Sequence, residues 1–371
     1  MSRFTIALDK TRNAYKFFSE SLLGWDEHID RGMPWQGEKD PYKIWLSEIL
    51  LQQTRVQQGL SYYLNFVEAY PTVQDLAKAE DDEVFRLWQG LGYYSRCRNL
   101  LHTARFITNE LDGVFPHSYD ELLKLKGIGT YTAAAISSFA FGDLRPVIDG
   151  NVLRVISRFF GIEDPIDTKS GRNAISKLTK SCIEITDNSA AYNQAIMNFG
   201  AIQCTPKFPK CSNCPLVNYC KAYQLNLVSQ IPIKSKKIKK RERYFVYFNI
   251  ESNEHILIKK RTDRDIWQNL YELPMTELST PFRNLESISE NWAIPIRKEL
   301  IESLNISTTF KQNLTHQKII ATYVDISLIE SNELATKPYF WVSKSELDQY
   351  AFPKIILDFL KVRARQLGIS Y

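Results

Sequence analysis

No stretch of this chain stays apolar for anything near the roughly 18 residues that a membrane-crossing helix needs. The opening run Met1-Ser-Arg-Phe-Thr-Ile-Ala-Leu-Asp9 also lacks the apolar core of a secretion signal. The expectation is a cytoplasmic protein that meets no membrane. A disulfide framework is missing too: of six cysteines in 371 residues, four cluster within one loop, and Cys97 and Cys182 stand alone. A thiolate metal site and free thiols would both suffer in an oxidising compartment, so a reducing one is implied. Nor is there a strong charge of one sign. Lys and Arg number 47 against 42 Asp and Glu, a net +5 that fits a polyanionic partner without demanding one. No internal repeat is visible. What the chain does have is 44% hydrophobic residues, enough to exclude disorder by composition and to build two domains with separate cores.

The hydrophobic pattern changes character near residue 230. Before it, apolar residues recur at helical spacing, as in Ile44, Trp45, Ile49 and Leu50 of a helix predicted over Tyr42 to Gln58, with Asp40 as N-cap and Pro41 at its first position. After it come short runs rich in β-branched and aromatic residues. These are Tyr244-Phe-Val-Tyr-Phe-Asn-Ile250, His255-Ile-Leu-Ile258, Ile319 to Ile326 and Tyr339-Phe-Trp-Val342. Helical patterns accompany them around Ile296 to Leu304 and Lys354 to Leu367. The division is therefore an all-α part over residues 1–228, a basic linker over 229–243 and an α+β part over 244–371. The run from Ile233 to Arg243 is too charged to bury and reads as a solvated tether at least as readily as a phosphate contact.

Cys204, Cys211, Cys214 and Cys220 are spaced C-x6-C-x2-C-x5-C in a loop that also carries Lys207 and Lys210. Four thiolates within seventeen residues can close around one compact centre, and the spacing reads as a [4Fe-4S] site, with a zinc staple as the alternative. Either metal would be structural, since protein fills all four positions. Upstream, Leu122-Leu-Lys-Leu-Lys-Gly127-Ile-Gly129-Thr-Tyr131-Thr-Ala-Ala-Ala-Ile136 reads as a short helix, a G-x-G turn and a second helix, a helix-hairpin-helix. Gly127 and Gly129 let backbone approach a phosphate that the free amides of the next helix can meet. The bland alternative is an ordinary glycine helix stop. Twenty residues on, Pro146-Val-Ile-Asp149-Gly-Asn151-Val places a carboxylate at the mouth of another helix, where an N-cap is the simplest role.

The hairpin, the aspartate beyond it and the cysteine spacing together resemble the endonuclease III superfamily of DNA glycosylases over residues 1 to about 225. Its lyases carry a lysine nucleophile where this chain has Tyr131, and without that amine no Schiff base can form there. Met33-Pro-Trp35, the run from Asp40 through Glu48, Leu51 and Gln53 to Val56, and Gly90-Leu-Gly-Tyr93-Tyr-Ser-Arg96 resemble the MutY-type adenine DNA glycosylases. Breaking an N-glycosidic bond to adenine calls for one neutral acid and one ionised group. The resemblance makes Glu48, set in an apolar helix between Trp45 and Leu51, the proton donor to adenine and then the base for water. It makes Asp149 the anion opposing the sugar cation, with Tyr131 and Asn151 orienting both. It further implies a base pocket of Arg31, Trp35, Leu51 and Gln194, and contacts to flipped-open DNA through Gln53, Thr54 and Tyr93. Gln36 stands where an arginine is usual, and Asn198 where an acidic residue is usual.

The second half resembles the Nudix-like domain with which that family inspects the base opposite adenine, carried by Ile266-Trp-Gln-Asn-Leu-Tyr-Glu-Leu-Pro274. The glutamate-rich metal box of Nudix hydrolases has no counterpart, so the domain is expected to read and not to hydrolyse. Leu314-Thr315-His316 aligns with a loop usually written Phe-Ser-His that probes 8-oxoguanine. The whole is then expected to be a monofunctional, monomeric adenine glycosylase of the bacterial cytosol or nucleoid, with a [4Fe-4S] cofactor. Its partner would be double-stranded DNA carrying adenine opposite 8-oxoguanine or guanine, and no protein partner is indicated. The rivals are a bifunctional oxidised-pyrimidine lyase and a non-catalytic DNA-binding or redox-sensing protein on the same scaffold.

Overall fold

The structure is a computed structural model that describes residues 3–235, 240–285, 298–329 and 337–366. Its helices are α1 (Arg3–Asp26), α2 (Pro41–Leu51), α3 (Val56–Ala69), α4 (Val73–Lys78), α5 (Asp81–Leu87), α6 (Tyr94–Glu110), α7 (Tyr119–Leu122), α8 (Thr130–Phe141), α9 (Gly150–Phe160), α10 (Lys169–Ile183), α11 (Ser189–Ile202), α12 (Lys221–Gln224) and α13 (Lys354–Gln366). The strands are β1 (Arg241–Ser252), β2 (His255–Lys260), β3 (Tyr271–Glu272), β4 (Met275–Leu278), β5 (Ile301–Asn313), β6 (Gln317–Leu328) and β7 (Tyr339–Ser343). Among the described residues no helix is long and apolar enough to cross a membrane. The chain forms two compact units, one of residues 1–78 and 99–237, the other of 79–98 and 238–371.

In the first unit α11 packs on α1, α8 and α9, and α2 packs on α3 and α8. The core beneath α9 and α11 holds Phe18, Val155, Ile156, Phe159, Tyr192, Ile196 and Phe199, all essentially out of water. Each such side chain contributes about 2–3 kcal/mol relative to an exposed position, which fixes the helix starts that face the site. Helix α2 begins as its residue types dictate: Pro41 lacks the amide that a first turn leaves unused, and the Asp40 carboxylate accepts from Tyr42 N at 2.9 Å. The helix expected over Tyr42 to Gln58 is in fact two. α2 stops at Leu51, Gln53 takes φ +55, and α3 starts at Val56. Apolar spacing alone does not reveal such a break, because the residues flanking it keep the same period.

The described residues of the second unit include a seven-stranded sheet with central order β3-β2-β1-β6-β5, β1 parallel to β6, β4 added to β1 and β7 to β2. Alternation along β1 sends Val246, Phe248 and Ile250 into one core with Leu257, Val324 and Ile326. On the other face Tyr247 stacks on Tyr323, whose ring lies 4.0 Å from that of Phe359 on α13. The helix expected around Ile296 to Leu304 is corrected: residues 286–297 lie outside the described part, and Ile301 opens β5. An edge strand with half-exposed apolar residues and two register shifts mimics helical spacing over so short a window. Strand β1 starts at Arg241, inside the expected linker, and the Arg243 guanidinium pairs with Asp265 at 2.8 Å and Glu277 at 2.6 Å. Residues 79–98 belong to this unit through Asp82, which accepts from Lys260 Nζ at 2.5 Å and Tyr271 Oη at 2.7 Å, and through Gln89, which accepts from Phe352 N at 3.0 Å.

Candidate active site

A cavity of about 510 Å³ in the first unit is lined by Glu48, Tyr131, Asp149 and Asn151, and also by Arg31, Trp35, Leu51, Thr54 and Gln194. Nine of the expected site residues, drawn from five separate sequence stretches, therefore meet in one place. Their arrival there follows from helix ends. Burying Tyr42, Trp45, Leu46, Ile49 and Leu50 turns another stripe of α2 toward the cavity, and that stripe carries Ile44, Ser47, Glu48 and Leu51. Tyr131 is the second residue of α8, and Asp149 is the N-cap of α9.

Glu48 is half-buried on the wall of the cavity. Burial pushes its carboxyl from 4.5 up to about 7, a hydrogen bond donated by the Tyr131 hydroxyl pulls it partly back, and the neighbouring Asp149 charge adds to the rise. Asp149 is also raised by burial, but it accepts Val152 N at 2.8 Å and Asn151 Nδ2 at 2.7 Å, and the Arg154 charge lies nearby. All three favour its ionised form. The N-cap role and the site role are thus one geometry, since the amides that start α9 are the groups that hold the charge. Two carboxyls in one cavity, both raised by burial but only Asp149 bonded to helix-start amides, can deliver a proton to a leaving group and stabilise a cation as it forms.

Asn151 is itself held. Arg154 Nη2 donates to Asn151 Oδ1 at 2.9 Å and to Gly200 O at 2.7 Å, while Arg154 Nε donates to Cys204 O at 2.8 Å. Gly200 lets this happen, because a Cβ there would stand 2.5 Å from Asn151 Cβ. Sequence reasoning missed Gly200 and Arg154, for which a glycine inside a helix and a charge on an apolar helix were the available signals. It named Asn198 only as a departure. The structure places Asn198 in contact with Arg31, Gln194 and Asp26, and Asp26 also lines the cavity.

The remaining expected residues lie outside the cavity. Gln53 is exposed at φ +55 and Tyr93 is 41% exposed at φ +50, so both are turned outward in a backbone conformation that few side chains adopt. In the hairpin turn Gly127 has φ +81 and a Cβ there would meet Asn99 Cβ at 2.6 Å. Gly129 differs: it is the extended N-cap of α8, with open space where its Cβ would be. In the second unit Thr315 Oγ1 lies 2.7 Å from the Tyr93 hydroxyl, and His316 is exposed on the turn closed by Leu314 N to Gln317 O at 2.8 Å. The buried Glu272 of the 266–274 segment pairs with Arg261.

Cys204, Cys211, Cys214 and Cys220 line one small cavity with Arg158. Among the described residues no three His, Cys, Asp or Glu side chains form a grouping for a single metal ion. The thiols nevertheless sense one another: burial first, then the neighbouring sulfurs, push Cys214 up to about 11 and raise Cys211 and Cys220. Arg158 ties the loop to α9 through Thr205 O at 2.7 Å and Pro206 O at 3.1 Å, with Nη1 3.5 Å from Cys204 Sγ, and its Nε donates to Ile231 O beyond the loop at 2.9 Å. An all-sulfur donor set beside a fixed cation fits a thiolate-bound centre.

Comparison with known proteins places these features in a class. Residues 46–181 match the family profile described as HhH-GPD superfamily base excision DNA repair protein, and residues 245–362 match that of the NUDIX domain. A solved structure of a thermostable thymine-DNA glycosylase aligns at TM-score 0.53 and 30% identity, covering 59% of this chain and 99% of its own. Adenine DNA glycosylases from Buchnera aphidicola are similar over more of the length. That of subspecies Schizaphis graminum is 33% identical over 93% of this chain and 98% of its own, and that of subspecies Baizongia pistaciae is 36% identical over 81% and 83%. The chain belongs to the adenine DNA glycosylase family.

Burial of Glu48 has a stability consequence. Between its ordinary value of 4.5 and about 7, the folded chain keeps a proton that the unfolded chain has released. Stability therefore falls as pH rises through that window, by on the order of 3 kcal/mol. Glu48→Gln, which removes the charge and keeps an acceptor for Tyr131, should melt at a higher temperature than wild type above pH 7 and like it at low pH. A lower melting temperature for Glu48→Gln in alkaline buffer would show that the carboxyl is not held protonated by burial.

Proposed function

We propose that this protein releases adenine mispaired with 8-oxoguanine, and with guanine, by hydrolysing its N-glycosidic bond in double-stranded DNA. The observation that carries the reading is the pairing, in one cavity, of a carboxyl raised to about 7 with a second carboxyl bonded to helix-start amides. Glu48 holds the proton that goes to the departing base and then accepts one from water. Asp149 opposes the positive charge on the sugar, and Tyr131 and Asn151 fix the two carboxyls. The base lies against Trp35, whose ring is braced by Tyr63 at 5.2 Å, with Leu51, Arg31 and Gln194 around it. Gln53, Thr54, Tyr93 and the amides after Gly127 and Gly129 meet the opened duplex. Thr315 and His316 inspect the opposite base, and residues 229–243 join the catalytic and reading parts.

The four cysteines would hold a [4Fe-4S] cluster, which when bound keeps the 204–220 loop in shape. Through Cys204 O and Arg154 that loop reaches Asn151 and so Asp149. Lys39 is the lysine that lines the cavity among the described residues, and its Nζ donates to Phe139 O at 3.0 Å. An amine so engaged, with tyrosine at the hairpin position, favours hydrolysis without strand cleavage.

Two measurements test the reading. Single-turnover incubation with a duplex carrying adenine opposite 8-oxoguanine should give nicked strand only after alkali treatment. Nicking without alkali would mean a lyase, and no base loss would mean a DNA-binding scaffold. Replacing Thr315 and His316 together by Ala should narrow the gap in rate between 8-oxoguanine and guanine partners several-fold while adenine release persists. An unchanged gap would place opposite-base reading elsewhere.

A further inference from the structure

We propose that Asn198, held by Asp26 and Arg31, is a positioning residue that fixes the polarity of the Gln194 amide, so that the cavity offers a hydrogen-bond acceptor to position 6 of the bound purine. The inference rests on reading the cavity as an adenine pocket and deepens it to the rule by which the base is chosen.

Asn198 lies wholly out of water, one turn beyond Gln194 on α11. Its amide has one donating and one accepting end, and its neighbours leave no freedom in how these point. Asn198 Nδ2 donates to Asp26 Oδ1 at 2.8 Å, and Asn198 Oδ1 accepts from Arg31 Nη1 at 3.2 Å. An ionised carboxylate only accepts and a guanidinium only donates. Turning the amide over would set oxygen against oxygen and NH2 against guanidinium at a wholly buried side chain. Asn198 Oδ1 is therefore fixed, and it also accepts from Gln194 Nε2 at 3.0 Å. The Gln194 nitrogen is thereby committed. Gln194 is half-buried and lines the cavity, and the hydrogen bond its amide makes to Asn198 uses Nε2, leaving Oε1 for a ligand.

A purine whose N7 faces Glu48 presents along the same edge the group at position 6. Adenine carries an amino donor there, which Gln194 Oε1 can accept. Hypoxanthine and guanine carry an oxygen there, which would meet Gln194 Oε1 acceptor to acceptor in a confined site. Selection of the amino base thus depends on a side chain that itself does not line the cavity.

The test compares single-turnover release of adenine and of hypoxanthine, each opposite 8-oxoguanine, by wild type, Asn198→Leu and Asn198→Asp. Leucine removes the fixed acceptor, so Gln194 can turn over, and the adenine-to-hypoxanthine ratio should fall roughly tenfold or more. Aspartate keeps an oxygen toward Gln194, and by sharing a proton with Asp26 it reproduces the native polarity, so the ratio should stay near wild type even where the rate drops. A ratio unchanged in Asn198→Leu, or lost equally in both variants, would overturn the proposal. Should Asn198→Leu fail to fold, the other two proteins still decide: the proposal stands if both prefer adenine, and falls if wild type releases the two bases alike or if Asn198→Asp loses the preference. A wild type that releases no adenine would remove the pocket reading and this proposal with it, whereas an active wild type without preference would remove this proposal alone.

Discussion

The site depends on keeping one carboxyl, that of Glu48, away from water. An isolated glutamate at neutral pH is an anion and has no proton to give. Set among the buried residues of α2 and beside Asp149, it holds its proton to about pH 7. Holding a charge-capable group in such a place opposes folding under the conditions in which the protein works, and the packing of α2 on α8 and of α11 on α9 offsets that cost. The same burial would be useless without a second carboxyl whose charge is met by hydrogen-bond donors. Asp149 supplies it, because a helix start furnishes amides at the point where the chain can spare them.

From Asp149 the restraint runs outward through bonds that each have a fixed direction. Asn151 donates to Asp149, Arg154 donates to Asn151, and Arg154 also donates to the carbonyl of Cys204 at the edge of the cysteine loop. A loop 50 positions from Arg154 in sequence thus bears on the geometry of the Asp149 carboxyl. On the other wall, Asp26 and Arg31 fix Asn198, and Asn198 fixes Gln194. Both walls share a design in which ionic groups at the ends remove the ambiguity of an amide in the middle.

Much of this was legible in the sequence, and the reasons differ by residue. The four cysteines stood out by their spacing within seventeen residues, while Glu48 and Asp149 were singled out by their likeness to the motifs of a family, a glutamate in an apolar run and an aspartate at a helix mouth being unremarkable alone. Strands β1, β2, β6 and β7 of the second unit and α13 were readable from alternation and period, whereas the short β3 and β4 were not. The break after Leu51 and the strand at Ile301 were not, since a change of backbone direction leaves hydrophobic spacing nearly intact over a few residues. Gly200, Arg154 and the Asp26–Asn198 pair were hidden for another reason. Their roles exist only through partners up to 172 positions away, which only the packed helices bring together.

The most direct test of the central claim is the pH dependence of single-turnover adenine release from an adenine–8-oxoguanine duplex, with DNA held saturated throughout. If Glu48 is the proton donor, the rate should hold below neutrality and fall as pH rises through about 7, where the buried carboxyl loses its proton. A rate that stays flat through that range, or that already falls near 4.5, the ordinary glutamate value, would contradict the account.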